Sequence, residues 1–415
     1  MAGLRDTAKE LFQTARRAAD PALALRAALS ENPLPRPDPG GVYHVVSIGK
    51  AAIPMAEELL RNLGDVAPDA LVITNYENAR NLPGATVMAS GHPVPDENGA
   101  KAVAEVIRRL ATATESDRVI ALISGGGSAL LPAPAEGLTL EDKAEVNRLL
   151  LAHGFEITEI NLIRQQISKL KGGGLLRHAA PAPVSAYILS DVIGDDLRVI
   201  ASGPTVAPIG TAAEAKALLT ERGIWGRLPA PVQAHLNAAK AQPPLPQAKN
   251  ILIGSNRKSL NAVAKAAGAN ARIVSDHLTG DVAEAAEAVI AAAGTAPKDR
   301  PACLIFGGET TVVLQGDGLG GRNQELTLRV ALAMPDLDRD WVFLSGGTDG
   351  RDGPTDAAGG IVDAGTAERI RAAGQNPEAL LANNDSHAAL NAAGDLLITG
   401  ATGTNVADVQ ILMLA

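Results

Sequence analysis

From residue 42 to residue 400 the chain keeps returning to one pattern: a short apolar run, a glycine-rich turn, and an Ala-rich stretch of helical length. The runs include VYHVVSIG (42–49), DALVITN (69–75), ATVMASG (85–91), RVIALISGGG (118–127), VSAYILSD (184–191), NILIGSN (250–256), ARIVSD (271–276), ACLIFGGE (302–309), WVFLSGG (341–347) and DLLITG (395–400). Several are unbroken rather than alternating. A strand that is apolar at every position has to be covered on both faces, which is the situation in a parallel sheet clothed by helices. Stretches 51–63, 97–113, 139–152, 257–267, 280–293 and 322–334 have helical pattern and length. The alternation predicts a layered α/β architecture.

The 415 residues allow two or three domains. The best boundary is the Pro- and Gln-rich AQPPLPQAK near 240–249, which predicts domains over 1–245 and 246–415. At the far end DLLITG, ATGTN and VADVQILML read as a hairpin, so the second domain is expected to hold a mixed sheet. Aromatic residues are 2% of the chain and the formal net charge is -9. That composition offers neither stacking platforms nor a general phosphate-backbone surface, which argues against nucleic acid. One cysteine, Cys303, excludes a disulfide framework and reads as a buried structural thiol. No apolar run is long enough to span a membrane, and a cytoplasmic protein is expected.

The glycines cluster where ligands bind in open α/β sheets, at strand-to-helix turns: SIGKAA (47–52), ISGGGSALL (123–131), LIGSN (252–256), FGGETT (306–311) and LSGGTDGRDGPTDAAGG (344–360). Glycine lets backbone amides approach an anion closely. Two standard nucleotide signatures are missing. GxGxxG fails because Leu130 stands where its last glycine belongs, and the Walker pattern fails because Ala51 follows Lys50 and His44 takes the first glycine's place.

Among charged residues, Lys50 opens a helix, where a cation is disfavoured by the dipole unless an anion joins it. Arg322, with Gly320, Gly321 and Asn323, resembles a built anion pocket. Arg164, Ser168 and Lys171 fall at i, i+4 and i+7, which reads equally as a basic clamp on one helix face or as a solvated face. Asp191, Asp195 and Asp196 follow a strand and suit Mg²⁺ beside phosphate, or simply form a turn. Asp349, Asp352 and Asp356 are similarly placed. His92, in a proline-bounded loop, ranks low as a catalyst.

Read together, SIGKAAIPMA, GHPVPDENG, ISGGGSALL, NLIRQQISKLKGGGLL, LSDVIGDDLRVIASGPT, GGETTVVLQGDGLGGRNQE, SGGTDGRDGPTDAAGG and ITGATGTNVADVQILML resemble, in order and through nearly the whole chain, class II glycerate kinases with a MOFRL-type C-terminal domain. Gln165, Gln166 and Gly174 depart from the family pattern. The resemblance implies ATP-dependent phosphorylation of D-glycerate at the 2-hydroxyl, giving 2-phosphoglycerate. It implies a Rossmann-like, mainly parallel N-terminal sheet, a mixed C-terminal sheet and an active site in the cleft between domains. On it, Lys50 and Arg322 are expected to grip the glycerate carboxylate or the transferring phosphoryl. Ser124, Gly125, Gly126, Gly127 and Ser128 are expected to cradle ATP phosphates, with a C-terminal turn drawn from Gly308, Glu309, Gly346, Gly347 and Asp349. Asp191 is expected as Mg²⁺ ligand or proton acceptor, and Asp195 as a second metal ligand. A homo-oligomer is compatible with the sequence. The rival readings are an NAD(P)H-dependent hydroxypyruvate reductase, opposed by the absent GxGxxG, and a non-catalytic sugar-acid sensor, opposed by the lack of a basic patch.

Overall fold

The computed structural model describes residues 3–64, 66–239 and 243–415. The chain packs as two units, one of residues 24–189 and 195–253, the other of residues 1–23, 190–194 and 254–415. The first unit is built on a six-stranded sheet of β1 (Tyr43–Ile48), β2 (Asp69–Asn75), β3 (Thr86–Ser90), β4 (Arg118–Ile123), β5 (Val184–Leu189) and β6 (Ala248–Gly254), in the order β3-β2-β1-β4-β5-β6. The pairs β1/β2, β1/β4, β2/β3 and β4/β5 are parallel. Every residue of β1 and β5 is buried, as unbroken apolar runs require. The chain winds outward from β1 in one direction and from β4 in the other. The carboxyl ends of β1 and β4 therefore flank a topological switch point, the place where such sheets bind ligands.

The second unit holds β7 (Ala271–Ser275), β8 (Gly280–Asp281), β9 (Ala302–Gly308), β10 (Thr310–Thr311), β11 (Trp341–Gly347), β12 (Gly359–Asp363), β13 (Leu396–Leu397) and β14 (Asp408–Leu414). Its main sheet runs β13-β12-β11-β14-β9-β7, and β8 pairs with β10 alone. It is mixed: β7/β9 is parallel, while β9/β14, β14/β11, β11/β12 and β12/β13 are antiparallel. The expected C-terminal hairpin does not form. The two-residue β13 pairs with β12, and β14 enters between β11 and β9. Six of its seven residues are buried, and an interior position satisfies both of its backbone edges.

The boundary also differs from the expected 245/246. The run at 248–254 completes the first sheet as β6, and residues 240–242 of the proposed linker lie outside the described residues. The helix Leu4–Ala18 belongs to the second unit. Its apolar stripe of Ala8, Leu11, Phe12 and Ala15 packs on Leu260, Ile305, Leu344 and Ile411. The helix Ile157–Gln166 ends before Ser168, which bridges to Pro134, so Arg164, Ser168 and Lys171 do not share one helix face. Among the described residues no helix is long and apolar enough to cross a membrane.

Candidate active site

At the switch point two turns are stitched together. The Ser124 amide donates to the Ile48 carbonyl at 2.9 Å, the Lys50 amide to the Gly125 carbonyl at 2.9 Å, and the Ala51 amide to the Ser124 hydroxyl at 3.1 Å. Gly49 has φ 121°. A Cβ there would lie 2.2 Å from Ser124 Oγ and 2.5 Å from its carbonyl oxygen, so only glycine permits this approach. A Cβ on Gly126 would meet His92 Cδ2 at 3.1 Å and Lys50 Cγ at 3.3 Å. Lys50, His92 and the Ser124–Ser128 turn therefore converge. Among the described residues the Lys50 ammonium meets no carboxylate; its carbonyl accepts from Asn78 Nδ2 at 3.0 Å. Burial, and then the Lys50 charge, hold the His92 imidazole below its ordinary range, so the ring is neutral near pH 7. The sequence did not place His92 beside Lys50, where the structure has it. The signal available was GHPVP, a histidine at a strand end, with Asp96 capping the next helix through Gly99 N at 2.9 Å.

In the second unit Arg322 is the first residue of the helix Arg322–Ala333. Its guanidinium donates to both oxygens of Asp408, at 2.6 and 3.0 Å, and lies 3.2 Å from Glu309. Burial opposes the Arg322 charge, but Asp408 and Glu309 outweigh it and raise the pKa above the ordinary arginine value. The expected anion pocket around Arg322 is filled from within the chain. Asp352 accepts from the Asn323 amide at 3.1 Å, the Gln324 amide at 2.8 Å and Gln324 Nε2 at 3.0 Å. A Cβ on Gly321 would lie 2.3 Å from Asp352 Cγ, so that glycine admits the carboxylate. The Asp352 carboxyl is raised, chiefly by burial.

Glu309 follows β9 and completes an acidic cluster. Burial raises its carboxyl; Arg322 opposes this, and Asp408, Asp191 and Asp349 raise it further. Asp191 thus stands with Glu309, Asp349 and Arg322, within the segment 190–194 that the second unit takes from the middle of the chain. Asp195 belongs to the first unit, and Asp196 pairs with Arg198 at 2.7 Å. Among the described residues no three His, Cys, Asp or Glu side chains form a ready metal cage. Two of the expected phosphate contacts have other occupations. A Cβ on Gly346 would strike Leu397 at 2.8 Å and Phe12 at 2.9 Å, so this glycine serves core packing, and the Gly347 amide donates to the Ala358 carbonyl at 2.8 Å. Asp349 accepts from the Arg351 amide at 3.0 Å. The backbone at Gly308 runs against Leu278, whose carbonyl oxygen would lie 2.3 Å from an added Cβ.

Residues 7–237 match a family described as a domain of unknown function (DUF4147), and residues 302–408 match the MOFRL family. A D-glycerate 2-kinase from Thermotoga maritima is 40% identical over 88% of this chain and 89% of its own. An Agrobacterium vitis relative with a provisional hydroxypyruvate reductase name is 38% identical over 99% of this chain and 94% of its own. The crystal structure of a glycerate kinase from Thermotoga maritima superposes with a TM-score of 0.92 at 38% identity, covering 99% of each chain.

Proposed function

This chain belongs to the glycerate 2-kinase family with a MOFRL domain, and we propose that it transfers the γ-phosphoryl group of ATP to the 2-hydroxyl of D-glycerate, giving 2-phosphoglycerate and ADP. The observation that carries the reading is the meeting of Lys50, whose ammonium pairs with no carboxylate among the described residues, with the Ser124–Ser128 turn at the switch point. Phosphoryl transfer asks a protein for alignment, charge neutralisation and a proton acceptor rather than for covalent chemistry. In our assignment the amides of Ser124 through Ser128 hold ATP phosphates, and Lys50 neutralises charge on the transferring group or the glycerate carboxylate. His92, neutral and beside Lys50, can accept or donate a hydrogen bond there.

Arg322 takes a second part, holding Glu309 and Asp408 in place. Mg²⁺ fits the chemistry of that cluster: after burial, Asp408, Asp191 and Asp349 raise the Glu309 carboxyl against one guanidinium, an excess of negative charge that a hard divalent cation relieves. Asp191 and Glu309 are the carboxylates we assign to it, since Mg²⁺ usually takes one or two carboxylates beside phosphate oxygens and water. When bound, the ion would screen phosphate charge. Acceptance of the hydroxyl proton is the alternative part for Asp191, and Asp195 stays the second candidate for the ion.

The reductase reading has no residue pattern in its favour, because the turn after β1 is SIGKAA. An ADP-release assay over a panel of hydroxy acids with Mg²⁺ and ATP tests the proposal. Glycerate should stand out; equal, substrate-independent release across the panel would refute it.

A further inference from the structure

Two lysines and an arginine near the Ser124–Ser128 turn meet no counter-charge among the described residues. Lys171 is 7% exposed. Its ammonium donates to the Ser128 carbonyl at 2.9 Å and to the Ser128 hydroxyl at 2.7 Å. Lys143 donates to the Pro132 carbonyl, and Arg164 to Asn147 Oδ1 at 3.1 Å. Among the described residues none of the three pairs with a carboxylate. Burial, then the charges of Lys143 and Arg164, drive Lys171 well below the ordinary lysine range. Burying an ion without a partner costs several kcal/mol. An arrangement of this kind is stabilised when a ligand brings the anion.

The surrounding backbone is strained in the same place. Ala201 and Ser202 have φ 50° and 60°, and Gly203 follows at 65°. A non-glycine residue in that region costs on the order of 1 kcal/mol or more. The segment is pinned by Gln165 Nε2 and the Gly172 amide on the Ser202 carbonyl, at 3.2 and 3.0 Å. It meets the turn closely: a Cβ on Gly127 would lie 2.9 Å from Ala201 Cβ. Ser202 Oγ stands 3.0 Å from Ser128 Oγ and donates to Asn161 Oδ1 at 2.8 Å. Lys171, Ser128, Ser202 and Asn161 thus form one hydrogen-bonded chain directly under the glycine turn. Lys171 also lines a small cavity with Ile48, Gly127, Leu170, Ala201 and Pro204.

We propose that Lys171, backed by Lys143 and Arg164, is the counter-charge for the nucleotide's polyphosphate, acting through Ser128 on phosphate held at the Ser124–Ser128 turn. The inference rests on the kinase reading. Arg164 together with two lysine amines able to take up protons matches a polyphosphate better than the single charge of a glycerate carboxylate, and closely approachable glycine amides suit phosphate oxygens. Lys171 is on this account a positioning residue, and its amine gains a proton when the anion arrives. The groups that face it are Lys143, Arg164 and the Ser128 hydroxyl.

The test is calorimetric titration of ADP into the full-length protein without glycerate, in buffers of different ionisation heat. The native protein should take up protons on binding. Lys171→Met should bind ADP about tenfold to a hundredfold more weakly, as loss of a charged contact implies, and should lose proton uptake while its KM for glycerate stays unchanged. Methionine in place of a buried cation is tolerated by folded proteins; Ser128→Ala, which keeps the charge and removes the relay, should also weaken ADP. Native-like ADP affinity and proton uptake in Lys171→Met would overturn the proposal, as would a defect confined to the KM for glycerate. Native protein that binds ADP with proton uptake yet shows no glycerate-dependent turnover would sink the kinase reading and leave this site standing.

Discussion

Replacing Lys50 and Arg322 by alanine, one at a time, should separate a residue that serves only the reaction from one that also serves the fold. The Lys50 ammonium pairs with no carboxylate among the described residues, and the residue precedes the helix Ala52–Leu63, where the dipole disfavours a cation. Its removal should change stability by no more than about 0.5 kcal/mol. A lost charged contact to developing charge in a partly desolvated site raises the barrier by about 2.7–4 kcal/mol, or 10²–10³-fold in rate. Lys50→Ala should therefore melt like the native protein and lose at least about a hundredfold in kcat/KM. Arg322 differs because its partner Asp408 has a side chain only 1% exposed. Arg322→Ala strands that carboxylate, which for a buried pair costs about 3–5 kcal/mol, so it should lose both activity and melting temperature. Steady-state kinetics with calorimetric melting of both variants decides the matter. Near-native kinetics in Lys50→Ala, or native melting in Arg322→Ala, would refute the reasoning for that residue.

Gly49→Ala should abolish the close approach to Ser124, since its Cβ would lie 2.2 Å from Oγ; nucleotide affinity and melting temperature should fall together, and unchanged ADP binding would count against the stitched turns. Lys143 is pushed down to about 7, first by burial and then by Arg164. Unfolding returns it to the ordinary lysine range near 10.4, so between these values the unfolded chain holds the extra proton and stability should rise with pH. Lys143→Met should flatten that slope in denaturant titrations. The Cys303 thiol is buried and pushed up to about 12, so a thiol reagent at pH 8 should label the unfolded chain and leave the native protein unlabelled.

Much of this fold could be read because its strands are apolar at every position. β1, β2, β5, β9 and β11 lie almost where the unbroken runs stand in the sequence. β12 escaped notice because it begins with Gly359 and Gly360, at the tail of a run of turn residues. Partner choice was less legible. β6 resembles its neighbours in composition, and nothing local in it tells which sheet it completes. The amphipathic helix Leu4–Ala18 announces a buried stripe but not the strands, hundreds of residues on, that receive it. Position in the sequence singles out Lys50 and the glycine turn, which the structure places side by side. The sequence marks Arg322 as a cation at a helix start, yet its tether to Asp408 joins residues 86 positions apart, a distance at which no local pattern speaks. Lys171 was visible as a charge and misread as part of a helix face, because the break after Gln166 comes from the tertiary bridge between Ser168 and Pro134.

The account stands on the carbon that receives phosphate. The protein should be incubated with Mg²⁺, ATP, NADH, D-glycerate and hydroxypyruvate in one vessel, and the products followed by phosphorus and proton NMR. The account predicts ADP and 2-phosphoglycerate in equal amounts with NADH untouched. NADH consumption with hydroxypyruvate reduced and no phosphorylated glycerate would contradict it.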